Sequence, residues 1–192
     1  MKSPIEHAIT VYVPGSQCNF RCSYCYVSNA LDPMHNAPAQ FQYPIDHMIS
    51  AFNPKRIGIA AITVIGAGET LIPKEIVPFV HGLLRFGHYV TVVTNLTLTN
   101  RIDELLQIEP ECLSRLCVKG SLHWLEMKRT NTVDVYFDNM NKVIEHGASS
   151  FPFLVLCKEY MPYLEEIREN CMEKILGGGG NFFLTAHHIK SI

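Results

Sequence analysis

Short apolar, β-branched runs alternate with longer stretches of helical spacing along this chain, and that alternation restricts its fold more than any other feature. Ala8–Val13 is the first such run and ends at Pro14-Gly15. Arg56–Ile65 (RIGIAAITVI) is nearly continuous in apolar residues, as expected of a strand buried on both faces. His88–Thr94 (HYVTVVT), Leu116–Leu122 (LCVKGSL) and Pro152–Cys157 (PFLVLC) read the same way, and Phe182–Ile189 offers a sixth candidate after a glycine run at Gly177–Gly180. Between them lie helical stretches at Pro44–Phe52, at Ile72–Arg85 with Pro73 in its first turn and Gly87 just past its end, and at Thr99–Gln107 with Thr99 as cap. Two more follow: Thr132–His146, closed by Gly147, and Pro162–Leu176, acidic early and with Lys174 late. Strands alternating with helices of roughly 10–15 residues predict βαβ units, a parallel sheet and right-handed crossovers.

In parallel α/β folds, ligands are met by residues at the C-terminal ends of the strands. The first strand here runs into Gln17-Cys18-Asn19-Phe20-Arg21-Cys22-Ser23-Tyr24-Cys25-Tyr26, a C-x3-C-x2-C spacing. Three thiolates on so short a loop suit a soft metal or an iron–sulfur cluster. A closed structural site normally takes four protein ligands, so three leave one corner open. The second strand runs into Gly66-Ala67-Gly68-Glu69-Thr70, where glycines let a ligand approach the backbone and Glu69 offers a carboxylate. Thr94 and Asn95 follow the third strand; Ser121 and His123 follow the fourth. Each has a plainer reading taken singly: a tight turn at Gly66–Gly68, an Asx-turn at Asn95, a packed ring at His123, a solvated face at Lys128 and Arg129. The cysteine triplet has no such plain reading.

The chain has 192 residues, 47% hydrophobic and 18% charged, enough for one globular domain with a real core. A formal net charge of -2 without a basic block gives no electrostatic footprint for nucleic acid. No apolar run approaches the roughly 18 residues of a membrane span, and the N-terminus lacks the apolar core of a signal peptide. The expectation is a cytoplasmic protein whose seven cysteines are thiols or ligands rather than disulfides. Cys112, Cys117, Cys157 and Cys171 form no C-x2-C pair and read as small buried hydrophobes.

Cys18-x3-Cys22-x-Tyr24-Cys25, with its aromatic residue before the last cysteine, resembles the cluster loop of the radical S-adenosylmethionine (radical SAM) superfamily. Gly66-Ala67-Gly68-Glu69 resembles that family's Gly-Gly-Glu segment, with Ala67 at the first glycine of the pair. Ser121-Leu122-His123-Trp124-Leu125-Glu126 also looks like uncharacterised members. The resemblance runs from about Ile9 to about Leu176. It implies a partial (β/α)6, TIM-like barrel of parallel strands in a single core domain, cut short near the sixth strand. It implies a [4Fe–4S] cluster on Cys18, Cys22 and Cys25, with SAM on the fourth iron. Glu69 and the backbone of Gly66 and Gly68 would then hold the methionine ammonium, the backbone around Tyr24 the adenine, and Thr94, Asn95 and Ser121 the ribose or methionine. His123 lies on the same rim. A basic residue for the SAM carboxylate would be Lys128 or Arg129. The implied chemistry is reductive cleavage of SAM to a 5′-deoxyadenosyl radical that takes hydrogen from a substrate, with flavodoxin or ferredoxin as reductant.

Two other readings stay open on the residues alone. One is a non-catalytic iron–sulfur or zinc module that takes its fourth ligand from His35, ten residues after Cys25. The other is a SAM-binding remnant without turnover. Neither the charge balance nor any single residue selects a substrate class.

Overall fold

A computed structural model describes residues 5–29, 36–176 and 183–185. Six parallel strands form one sheet in the order in which they occur in the chain: β1 (Ile5–Val13), β2 (Ile59–Gly66), β3 (Tyr89–Thr94), β4 (Leu116–Leu122), β5 (Ser149–Val155) and β6 (Phe183–Thr185). The helices between them are α1 (Tyr26–Asn29), α2 (Ile45–Ala51), α3 (Pro54–Ile57), α4 (Ile76–Arg85), α5 (Thr99–Leu106), α6 (Pro110–Leu113), α7 (Trp124–Thr130), α8 (Val133–Glu145) and α9 (Leu164–Lys174), the last preceded by a 3-10 turn at Lys158–Tyr163. Sequential order with helical crossovers is the topology of an open, partial (β/α) barrel, with β1 and β6 as its edges.

The core lies between the sheet and its helices. Alternate residues Ala60, Ile62 and Val64 of β2, Val90 and Val92 of β3, and Leu116, Val118 and Leu122 of β4 are fully enclosed there. They meet Ile76, Phe79, Val80, Leu83 and Leu84 of α4 and Tyr136, Phe137, Met140 and Val143 of α8. The spacing of these helix positions (i, i+3, i+4, i+7) gives each helix one apolar face, and burying each such Leu or Phe contributes about 2–3 kcal/mol. Gly87 (φ 89°) and Gly147 (φ 88°) end α4 and α8 in the left-handed region that a Cβ disfavours.

The structure departs from the sequence-based expectations in several places. The helix expected over Ile72–Arg85 begins at Ile76, leaving Pro73 in the turn before it, and the strand expected over Pro152–Cys157 runs from Ser149 to Val155. β2 is not buried on both faces: Ala61, Thr63 and Ile65 on its inner side are only half-buried, because the barrel is open. It also begins at Ile59 rather than Arg56. Pro54 at the first helical position, with the Asn53 side chain capping Lys55 N–H at 2.9 Å, winds residues 54–57 into a turn that Gly58 (φ 66°) ends. Thr99 is the first residue of α5 rather than its cap, and its hydroxyl accepts from Asn139 Nδ2 at 3.1 Å. Pro162 falls inside the 3-10 turn, so the last helix starts at Leu164. The expected sixth strand is described only as Phe183–Thr185; Gly177–Gly180 and His35 lie outside the described residues.

Candidate functional site

The loop that leaves β1 carries Cys18, Cys22 and Cys25, and three successive strand ends fasten it. Behind β2, Glu69 N–H donates to Gln17 C=O at 2.9 Å. Behind β3, Asn95 Nδ2 donates to Asn19 Oδ1 at 2.8 Å, and Asn19 Nδ2 donates to Thr97 Oγ1 at 3.0 Å. At the start of α7, behind β4, the Glu126 carboxylate accepts Arg21 N–H at 2.6 Å. The anchored residues are 17, 19 and 21, so the chain is held at every second position through the first half of the loop. Arg21 closes the loop on itself, donating from its guanidinium to Cys18 C=O and Phe20 C=O at 2.6 and 2.7 Å. The Cys25 N–H to Cys22 C=O turn (3.0 Å) sets the last two cysteines.

Gly68 shows why this packing needs glycine. A Cβ there would sit 2.1 Å from Gln17 O, well inside contact distance of rigid backbone. Glu69, only 5% exposed, ties the strand ends together: Thr94 Oγ1 and Leu71 N–H donate to Oε1 at 2.6 and 3.0 Å, and Asn95 N–H donates to Oε2 at 2.7 Å. Burial nevertheless pushes its pKa above the usual carboxylate range. Leu96 follows in the left-handed region at φ 61°, a conformation that costs about 1–2 kcal/mol for such a residue. It is pinned there by its N–H to Thr94 Oγ1 (3.0 Å) and by Asn139 Nδ2 to its C=O (3.0 Å).

These elements enclose a cavity of about 310 Å³. Its lining contains Cys18, Cys22, Cys25, Tyr24, Gly66, Gly68, Glu69, Thr94, Asn95, Ser121 and His123, so the structure brings together every residue singled out at the strand ends. Lys128 and Arg129 are not among them. Lys128 Nζ reaches Glu166 (2.7 Å) and lies over the Tyr163 ring, and Arg129 reaches Glu126 (2.7 Å). The lining cation is Arg21.

Burial pushes the Cys18 thiol up to about 11, against a smaller lowering by the nearby Arg21 guanidinium, and the Cys22 thiol to about 12. A bound cationic metal would reverse that balance, since metal binding requires the thiolate. Among the described residues no three His, Cys, Asp or Glu side chains are gathered as ligands of one metal ion. The three thiols line the cavity.

A chain of polar rings supports the loop from the side. Tyr160 O–H donates to Tyr24 OH at 2.9 Å, and Tyr24 OH meets His123 Nδ1. Burial drops the His123 pKa to about 4, so the ring is neutral at physiological pH. Glu126 and Tyr160 were not among the sequence-derived candidates. An acid in the first turn of a helix reads as a dipole match, and Tyr160 belongs to no strand end.

A sequence model of the Radical SAM superfamily matches residues 12–176. No curated protein sequence matches the chain. Among solved structures, Streptococcus suis SuiB bound to its precursor peptide SuiA superposes with a TM-score of 0.64 at 17% identity, over 89% of this chain and 38% of SuiB. Native anSMEcpe with bound AdoMet gives 0.59 at 14% identity, over 85% of this chain and 48% of that one. BtrN in complex with AdoMet and 2-DOIA gives 0.50 at 15% identity, over 79% and 58%. The chain thus spans less than half the length of SuiB and anSMEcpe, and at these identities the likeness speaks for the fold. With a sheet of sequential parallel strands, a three-cysteine loop fastened to the strand ends and a family match over most of its length, the chain belongs to the radical SAM superfamily.

Proposed function

We propose that Cys18, Cys22 and Cys25 hold a [4Fe–4S] cluster, that SAM binds in the adjoining cavity against the open iron, and that the chain acts as a radical SAM enzyme. The observation that carries this reading is the single cavity shared by three thiols, Cys22 buried and Cys18 and Cys25 half-buried, and the polar ends of β2, β3 and β4. When bound, the reduced cluster and SAM together supply a 5′-deoxyadenosyl radical able to take a hydrogen atom from a substrate.

The protein's own contribution is position and exclusion of water. Gln17, Asn19 and Arg21 keep the loop from rearranging, so little entropy is lost on loading. Three of the roughly four acceptor positions of the Glu69 carboxylate are filled. The remaining one suits the ammonium of SAM, whose charge would offset the burial that raises the Glu69 pKa. Gly66 and Gly68 allow the backbone to lie against the methionine portion. Thr94 and Asn95 act chiefly as braces, their side chains being engaged by Glu69, Asn19 and Thr97. Ser121 and the backbone around Tyr24 remain for the ribose and adenine. The reading calls for a one-electron donor such as flavodoxin or ferredoxin and a reducing cytoplasm. No helix among the described residues is long and apolar enough to cross a membrane.

Anaerobic reconstitution should load about four irons per chain, and reduction in the presence of SAM should release 5′-deoxyadenosine. Iron loading that survives replacement of all three cysteines (Cys18→Ala, Cys22→Ala, Cys25→Ala) would overturn the reading.

A further inference from the structure

The inner face of the sheet continues below the cavity, and the pairing register shows what crosses it. Thr10 pairs with Thr63, Thr63 with Thr91, Thr91 with Cys117, and Cys117 with Ser149. Five consecutive strands thus place a hydroxyl or thiol at one level. The inner faces of parallel barrels are ordinarily filled by Val, Ile and Leu. Here all five residues are half-buried or exposed.

One step nearer the cavity stands Lys119. It pairs with Val93, which lines the cavity floor, and lies two residues below Ser121, which lines its wall. The side chain is half-buried, and its ammonium rests 3.4 Å from the centroid of the Phe153 ring. Cation–π contact at that distance fixes the head group without neutralising it. Among the described residues, Lys119 has neither an ion pair nor a hydrogen bond to an acid, whereas Lys128, Lys142 and Lys174 each meet a carboxylate. It is also the one charged side chain at these two levels of the inner face. A half-buried ammonium with no counter-ion among the described residues, held over Phe153, which pairs with the cavity-wall residue Ser121, is placed to receive an anion.

We propose that Lys119 is the recognition residue for an oxyanion, carboxylate or phosphate, carried by the substrate. The anion is held at the cavity wall beside Ser121, so the group to be attacked extends from it into the cavity. The assignment of this anion to a substrate rests on the radical SAM reading above; the anion site itself does not.

The test is calorimetric titration of the reconstituted, SAM-loaded protein with three probes: N-acetyl-aspartate amide, glycerol 3-phosphate, and neutral N-acetyl-asparagine amide. One of the two anions should bind saturably and the neutral amide should not; which anion binds names the oxyanion. Lys119→Met should weaken that binding about tenfold to a hundredfold, the worth of one charge-assisted contact, and Lys119→Arg should recover most of it. Circular dichroism checks that both variants are folded. Binding unchanged in Lys119→Met, or no saturable binding of either anion to the wild type, overturns the proposal. Release of 5′-deoxyadenosine by the wild type is measured in parallel. Its absence would count against the radical SAM reading, while the titration alone decides the anion site.

Discussion

The rim of the sheet and its inner face are built on opposite plans. At the rim, polar side chains are bonded to one another: Glu69 accepts three hydrogen bonds, Asn95 bridges to the cysteine loop, and Glu126 holds the loop from the far side. Below it, Lys119 and, one level further down, a row of hydroxyls and a thiol stand half-buried or exposed. A fully bonded polar cluster holds one geometry. A sparsely bonded one leaves its donors for a guest. The rim is therefore the place for a permanent group, the inner face the place for a ligand that comes and goes.

Substitutions should separate the two regions. The largest effect is expected of Gly68→Ala, whose Cβ would press on Gln17 O at 2.1 Å. Relieving that clash must shift the cysteine loop, with a loss of about 3 kcal/mol in urea unfolding and little iron retained on reconstitution. Glu126→Ala should come second. It orphans Arg21 N–H, worth about 2 kcal/mol; the ion pair with Arg129 adds little, since Arg129 is 62% exposed. Iron should then be lost to chelators faster than in the wild type, and Glu126→Gln should restore most of the protection. Equal iron retention in Glu126→Ala and wild type would show that two tethers suffice. The smallest effect is expected of Thr63→Val on the half-buried inner face, within about 0.5 kcal/mol in the same unfolding assay. A loss as large as that of Glu126→Ala would mean that the two regions are equally knit.

Much of the rim could be read from the chain. A polar residue directly after a buried strand has a known address in a parallel fold, and that rule alone gathered Cys18, Glu69, Thr94, Asn95, Ser121 and His123 around one cavity. It failed one turn further on. Lys128 and Arg129 follow the same strand end, yet the phase of α7 buries Trp124 and Met127 and directs both cations to acids outside the cavity. Glu126 was overlooked for the converse reason: its partner is a backbone N–H 105 positions away, which no local pattern encodes. The inner face was hidden more deeply. Thr10, Thr63, Thr91, Cys117 and Ser149 form one level only through strand register, and β2 looked doubly buried because its residues are apolar, not because anything covers both sides.

The three tethers come from the second, third and fourth strand ends in that order, and the consequence is temporal. As the polypeptide leaves the ribosome, Gln17 gains its partner when Glu69 emerges, Asn19 when Asn95 and Thr97 emerge, and Arg21 only when Glu126 does. With domains assembling from the N-terminus during synthesis, the cysteine loop is fastened stepwise, and it becomes fully braced once about two-thirds of the described chain has been made. On the cluster reading proposed above, iron loading would follow translation of β4, with the thiols meeting metal in an already shaped cradle.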